Sequence, residues 1–351
     1  MSFLRRLSAT TAAVLIAGAA FAGDKLGDID PDTVTPFQFP RTLADSDVKR
    51  TFLETVDEDE EKSRVLNGNV ADAGEYPFQV ALMGQATPTV ISHFCGGSMI
   101  QPDWVLTAAH CIVEERDDGY FITDPKTIFG LVGTNSLQEG GDVIPVEQII
   151  VHPNYNPTTF DSDIALLKLT RRPTVPYEVI KFPTEEYADI LEEPGAQSIV
   201  TGWGRTETGK GSPILLEGVI EVLPRNVCNE VLMGPVREAA AKAFSVAVKT
   251  LGVSGDAANR AWAEMTASVE EPVNANMLCA GTPLGPRGAC DGDSGGPLML
   301  RQRDGSLIQA GVVSFGLSSQ EGPGCKRTAK FSMYTRIGNY ADWVLTELGY
   351  K

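Results

Sequence analysis

The stretch Cys290-Asp291-Gly292-Asp293-Ser294-Gly295-Gly296-Pro297 sets one serine hydroxyl among glycines. Glycines beside a serine let the backbone approach another molecule closely and aim N–H groups at a developing negative charge. A serine hydroxyl is a poor nucleophile near neutral pH and needs a base to take its proton; histidine is suited to that task. The base in turn needs a buried carboxylate to fix its tautomer and to stabilise the imidazolium. Upstream, the chain supplies both groups, in Thr107-Ala108-Ala109-His110-Cys111 and in Asp161-Ser162-Asp163-Ile164-Ala165-Leu166. Each segment is weaker alone: a histidine beside a cysteine is usually structural, and an aspartate before an apolar run is usually a turn residue. The glycine-serine segment is more specific, and the information lies in the three together in the order His, Asp, Ser.

The texture around these segments is that of an all-β domain. Short apolar runs alternate with Gly/Pro/Asn turns, as in 78–82, 104–106, 164–169 and 311–315. Many short strands at this spacing predict a barrel or sandwich. Asn339-Tyr340-Ala341-Asp342-Trp343-Val344 reads as the start of a terminal helix. One stretch departs from the pattern. Val236, Ala240, Phe244, Val248 and Leu251, then Ala258, Trp262, Met265 and Val269, recur at steps of three and four. They predict a helical hairpin over about 235–270, with one apolar stripe per helix and Asp256 as the second N-cap.

Taken together, the three segments resemble those of the chymotrypsin/trypsin family, and the likeness runs from Val65 to about Leu348. Cys95-Gly96-Gly97-Ser98, Gly202-Trp203-Gly204-Arg205 and Ser314-Phe315-Gly316 add to it. The resemblance implies two antiparallel six-stranded β-barrels with the site between them and a C-terminal helix. It implies His110 as general base and acid, Asp163 as its partner and Ser294 as nucleophile. The backbone N–H groups of Gly292 and Ser294 would form the oxyanion hole. Asp161 rivals Asp163 by proximity; the family pattern, an aspartate directly before Ile-Ala-Leu, selects Asp163. Six cysteines allow about 15 pairings, and the family pattern implies Cys95–Cys111, Cys228–Cys279 and Cys290–Cys325. His93 and His152 are expected to be structural.

The N-terminal part reads differently. Residues 1–22 carry Arg5 and Arg6, an apolar run and the triplet Ala20-Phe21-Ala22, the pattern of a signal peptide, too short to span a membrane comfortably. Residues 23–64 hold 12 acidic and 6 basic side chains and little to bury, which predicts an acidic propeptide. Arg64-Val65-Leu66-Asn67-Gly68 resembles the family's activation junction, so residues 65–351 would be the protease domain. Cleavage after Arg64 by another protease would free the Val65 amine to pair with Asp293. The expected product is a secreted enzyme, extracellular or periplasmic, acting on protein or peptide substrates. A net charge of −17 argues against a nucleic-acid partner. No cofactor and no metal are expected, and a calcium loop near Glu139–Asp142 looks short.

By resemblance, the floor of the substrate pocket falls at Gly288, its entrance at Gly316 and its back wall at Ser332, with Ser314 on the edge strand that pairs with substrate. With no carboxylate at Gly288, a Lys or Arg side chain would bury an unpaired charge at several kcal/mol, so large or medium apolar P1 residues are expected. Two readings of the hairpin stand side by side: an ornament on the second barrel, or a lid or docking element near the outer subsites. The rival to a working enzyme is a non-catalytic binding homologue of the same fold.

Overall fold

The computed structural model describes residues 68–87, 90–206, 210–282, 288–316 and 331–350. The predicted signal peptide, the acidic propeptide, Arg64, Val65 and Cys325 lie outside the described residues.

Two antiparallel barrels form the body. The first takes β2 (Gln79–Thr87), β3 (Val90–Gln101), β4 (Trp104–Thr107), β7 (Ile128–Val132), β8 (Asp142–Val151) and β9 (Ala165–Leu169), closed in the order β2-β3-β4-β9-β8-β7. The second takes β10 (Gln197–Gly202), β11 (Leu216–Leu223), β12 (Met277–Gly281), β13 (Pro297–Arg301), β14 (Leu307–Gly316) and β15 (Phe331–Arg336). Its order is β11-β10-β13-β14-β15-β12, and a β11–β12 pairing closes the ring. A two-residue strand, β1 (Asn69–Val70), adds to β11, and β5 (Val113–Arg116) pairs with β6 (Gly119–Ile122) as a separate hairpin. Closure removes the free edges of a sheet, the route by which open sheets aggregate.

The strands follow from period-2 patterning. Along β8, Ile144 and Val146 point inward while Val143, Pro145 and Glu147 face water; along β11, Leu216, Gly218, Ile220 and Val222 are the buried set. The first core gathers Leu82, Met99, Leu106, Ile144, Leu166 and Leu167, and continues through Trp203 and Met299 to Val344 on the C-terminal helix α4 (Ala341–Glu347). Each fully buried Leu or Ile here contributes roughly 1.5–3 kcal/mol. A second core, with Val200, Ile220, Leu298, Ile308 and Tyr334, fills the other barrel. Buried side-chain bonds join the two across their seam: Ser98 Oγ to Gln309 Oε1 at 2.6 Å, and Thr201 Oγ1 to Gln79 Oε1 at 2.7 Å. Buried polar pairs of this kind fix one arrangement of the barrels, because any other leaves them unsatisfied.

Three helical features differ from the sequence expectation. A short helix, α1 (Glu185–Leu191), has no counterpart in it. The hairpin is also longer at its start: α2 spans Arg225–Leu251 and α3 spans Gly255–Ala267. The periodicity places the beginning at about Pro235, yet the helix begins ten residues earlier, at Arg225, and Pro235 lies inside it. Pro235 removes one backbone bond, but the first turns are anchored independently by the Cys228–Cys279 disulfide and by buried Asn229. The N-cap of α3 is Ser254, whose Oγ accepts from Ala257 N at 3.4 Å; Asp256 lies in the first turn instead. The two apolar stripes meet each other, with the Phe244 and Trp262 rings 5.2 Å apart and Ala258 buried. Val236, Leu251, Met265 and Val269 stay exposed, so the stripes do not seat the hairpin on the barrel along its length.

Candidate active site

His110 sits in a single 3-10 turn, Ala109–Cys111, that follows β4 and is rooted by buried Ala108 and Ala109. The predicted Cys95–Cys111 disulfide ties this turn to β3. Asp163 ends the loop before β9 and is fully buried. Its Oδ1 accepts from the His110 backbone N–H at 2.9 Å, and its Oδ2 lies 2.7 Å from His110 Nδ1. Ser314 on β14 donates to the same Oδ2 at 2.5 Å, and Thr335 Oγ1 on β15 donates to the Asp163 carbonyl at 2.7 Å. The second barrel thus holds the aspartate that orients a histidine of the first. Of the two rival carboxylates, Asp163 is the one beside His110. Asp161 instead accepts from Asn274 Nδ2 and Asn276 Nδ2, both at 2.9 Å.

Ser294 lies against the same turn from the other barrel. Its carbonyl accepts from Gly96 N at 2.7 Å and lies 3.6 Å from Cys111 Sγ, while Cys111 Sγ is 3.9 Å from His110 Nε2. The segment before it is bent by Gly292, at φ 96°, a left-handed conformation that side chains other than glycine's rarely adopt. The N–H groups of Gly292 and Ser294 have no acceptor among the described residues, whereas Asp293 N donates to Cys290 O and Gly295 N to Val313 O.

Between those two N–H groups, Asp293 turns inward. Its Oδ1 accepts from Gly204 N at 2.7 Å and its Oδ2 from Cys290 N at 2.8 Å. Burial pushes its pKa up to about 7, against the lowering effect of the two N–H donors. Gly202 and Gly204 form the wall of this cradle: a Cβ on Gly204 would lie 2.6 Å from the Asp293 Cγ. In the sequence, Gly202-Trp203-Gly204 is only a strand marker; the need for close approach to Asp293 appears in three dimensions.

The residues expected to line the substrate pocket also lie close together. A Cβ on Gly288 would lie 2.9 Å from Ser332 Oγ, and that hydroxyl donates to Ala289 O at 3.3 Å. Gly316 ends β14 opposite Ser332 in the β14–β15 register. Phe160 is a site residue that the sequence reading misses. It carries φ 57° and packs its ring 5.6 Å from that of His110 and 5.4 Å from that of Phe315. Its only sequence signal is its place three residues before Asp163.

The Cys228–Cys279 bridge is present, and Cys290 is disulfide-bonded, with its expected partner Cys325 outside the described residues. His152 is wedged between the Tyr340 and Trp343 rings, at 5.0 and 4.9 Å, which gives it a packing role. The half-buried His93 packs edge-on to Trp203, and removal of its ring from water lowers its pKa to about 4. Asp142, in the stretch considered for calcium, is engaged by Arg171 at 2.6 Å and by Thr174. Among the described residues, the one close group of potential metal ligands is Cys95, His110 and Cys111, and its two sulfurs are joined in the disulfide.

Two closed barrels with a buried Asp–His pair at their seam and a glycine-framed serine beside it define a serine-protease class of fold and site. The chain belongs to the trypsin family, whose model matches residues 65–344. It is similar to the suppressor of tumorigenicity 14 protein homolog of Bos taurus, at 34% identity over 82% of this chain and 28% of that protein. It is similar also to vitamin K-dependent protein C of Mus musculus, at 29% identity over 84% of this chain and 54% of that protein. Transmembrane protease serine 7 of Rattus norvegicus is 33% identical over 80% of this chain and 28% of its own length. The chain therefore matches between about a quarter and just over half of the length of these relatives.

Proposed function

We propose that the protein is an exported serine endopeptidase, made as an inactive precursor and cut after Arg64 by another protease. Ser294 attacks the substrate carbonyl while His110 Nε2 takes its proton, and Asp163 stabilises the imidazolium so formed. The Gly292 and Ser294 N–H groups receive the oxyanion. His110 then gives the proton to the leaving amine, and water, activated by the same histidine, releases the acyl group from Ser294. The observation that carries this reading is the 2.7 Å Asp163–His110 contact, set against the turn that Ser294 also touches.

Asp293 supports the activation step. A buried carboxylate whose pKa burial raises is a receptor for a cation, and a freed Val65 amine would supply one. Fixing Asp293 aims the N–H groups on either side of it, and loss of one oxyanion donor costs about 10²- to 10³-fold in rate. Gly288 facing Ser332 supports a P1 preference for apolar residues, since neither offers a charge to a Lys or Arg. Export rests on residues 1–22; no described helix is long and apolar enough to cross a membrane.

Cleavage of a peptide library by chain cut after Arg64 tests the reading. Hydrolysis after apolar residues is expected, with none from Ser294→Ala and almost none from uncut Arg64→Gln. Turnover by Ser294→Ala would overturn the mechanism, and a strict preference for Arg or Lys would overturn the pocket assignment.

A further inference from the structure

The loop that delivers Asp163 is held in an unfavourable shape. Phe160 and Ser162 both lie at φ 57°, where a non-glycine residue costs roughly 1–2 kcal/mol. Such a shape persists only when its surroundings over-determine it. Asp161 lies between the two. Its carbonyl accepts from Asn156 N at 2.9 Å, and Phe160 N donates back to Asn156 O at 2.8 Å. Its Oδ1 accepts from the side-chain amides of both Asn274 and Asn276 at 2.9 Å. Asn276 is braced in turn: Asn339 Nδ2 donates to its Oδ1 at 3.0 Å, and its own N–H donates to Asn274 Oδ1 at 2.8 Å.

Asn274 and Asn276 belong to the segment that leaves the helical hairpin. Just before them, Val273 is locked to α2: its N–H donates to Asn229 Oδ1 at 2.8 Å, and Asn229 Nδ2 donates to its carbonyl at 2.9 Å. A continuous set of bonds thus runs from buried Asn229 on α2 through 273–276 to Asp161. Two residues on is Asp163, and one residue back is Phe160, whose ring abuts His110. We propose that Asp161 is a positioning residue: clamped by Asn274 and Asn276, it fixes the loop carrying Phe160 and Asp163 to the segment leaving the hairpin, and so sets the aim of His110.

This inference rests on the catalytic reading of His110 and Asp163. The clamp needs an acceptor oxygen, not a charge, so Asp161→Asn and Asp161→Ala should part company. In the full chain cut after Arg64, Asp161→Ala should lower kcat about 10- to 100-fold, the scale of a small misplacement of a reacting group, with KM changed less than about threefold. Asp161→Asn should stay within about threefold of the parent. Measurements are made well below the melting temperature of each variant, where a purely structural role leaves kcat unchanged. If Asp161→Ala does not fold, Asn274→Ala, which removes one donor and leaves the carboxylate, should lower kcat about 3- to 10-fold. An unchanged kcat in the folded variant overturns the proposal, as does an Asp161→Asn variant as slow as Asp161→Ala. An inactive parent enzyme would instead count against the catalytic reading itself.

Discussion

Asp163 and Asp293 are both withdrawn from water, yet their surroundings differ. Asp163 receives the His110 N–H, the His110 ring and the Ser314 hydroxyl, drawn from both barrels. Asp293 receives two backbone N–H groups in a cradle walled by glycines, and burial still pushes it up to about 7. The first pocket is furnished with side chains that hold a histidine in one orientation. The second is a close backbone socket, the one proposed to receive the Val65 amine. Equal burial thus comes with different donors, and on the proposed mechanism the donors around each carboxylate decide its role.

The contrast is most exposed to refutation at Asp163. Asp163→Asn should lower kcat about 10⁴-fold, the magnitude for the same change in a related triad, with the fold intact by circular dichroism. A loss under about tenfold would mean that the pocket does not orient His110. At the other pocket, Gly204→Ala puts a methyl against the Asp293 carboxylate. It should cost about 10²-fold in kcat through the displaced N–H donors and about 1–3 kcal/mol of stability from overpacking, read by steady-state kinetics and urea unfolding. Ser314→Ala removes one donor from Asp163 and should cost about tenfold in kcat, since a hydrogen bond to a charged group is worth about 1.5–3 kcal/mol.

A smaller effect concerns pH. Asp293 has a folded pKa of about 7 against an unfolded value of 3.8, so between roughly pH 4 and 7 the folded chain holds a proton that the unfolded chain releases. The contribution of Asp293 to the stability of uncut Arg64→Gln chain should therefore fall as pH rises through that window, by a few kcal/mol at most, while His93, lowered to about 4 by removal from water, contributes a slope of the opposite sign. Glu192, also pushed up to about 7 by burial despite its bond to Arg336, adds a slope of the same sign as Asp293. Asp293→Asn should remove part of the slope, and thermal melts across the window measure it. A parent whose stability rises across the window relative to Asp293→Asn would contradict the sign.

Much of the fold was legible because strands of a closed barrel alternate: β8 and β11 carry their burial pattern in the sequence. The candidate catalytic residues stood out because His110, Asp163 and Ser294 lie in short segments of distinctive composition. What escaped was long-range. Ser314 lies 151 residues from Asp163, and nothing local says that its hydroxyl bonds a carboxylate. Gly202 and Gly204 matter through contact with Asp293, 89 residues beyond Gly204. The early start of α2 escaped because Pro235 reads locally as a helix boundary, whereas the Cys228–Cys279 bridge and Asn229 anchor the helix upstream of it.

The proposed function turns on Asp163 and His110 activating Ser294. The decisive experiment labels chain cut after Arg64 with a fluorophosphonate probe and locates the adduct by mass spectrometry. A single adduct on Ser294 is expected, with none in His110→Ala and slow labelling in Asp163→Asn. Labelling at another residue, or at Ser294 with equal speed in all three proteins, would contradict that activation.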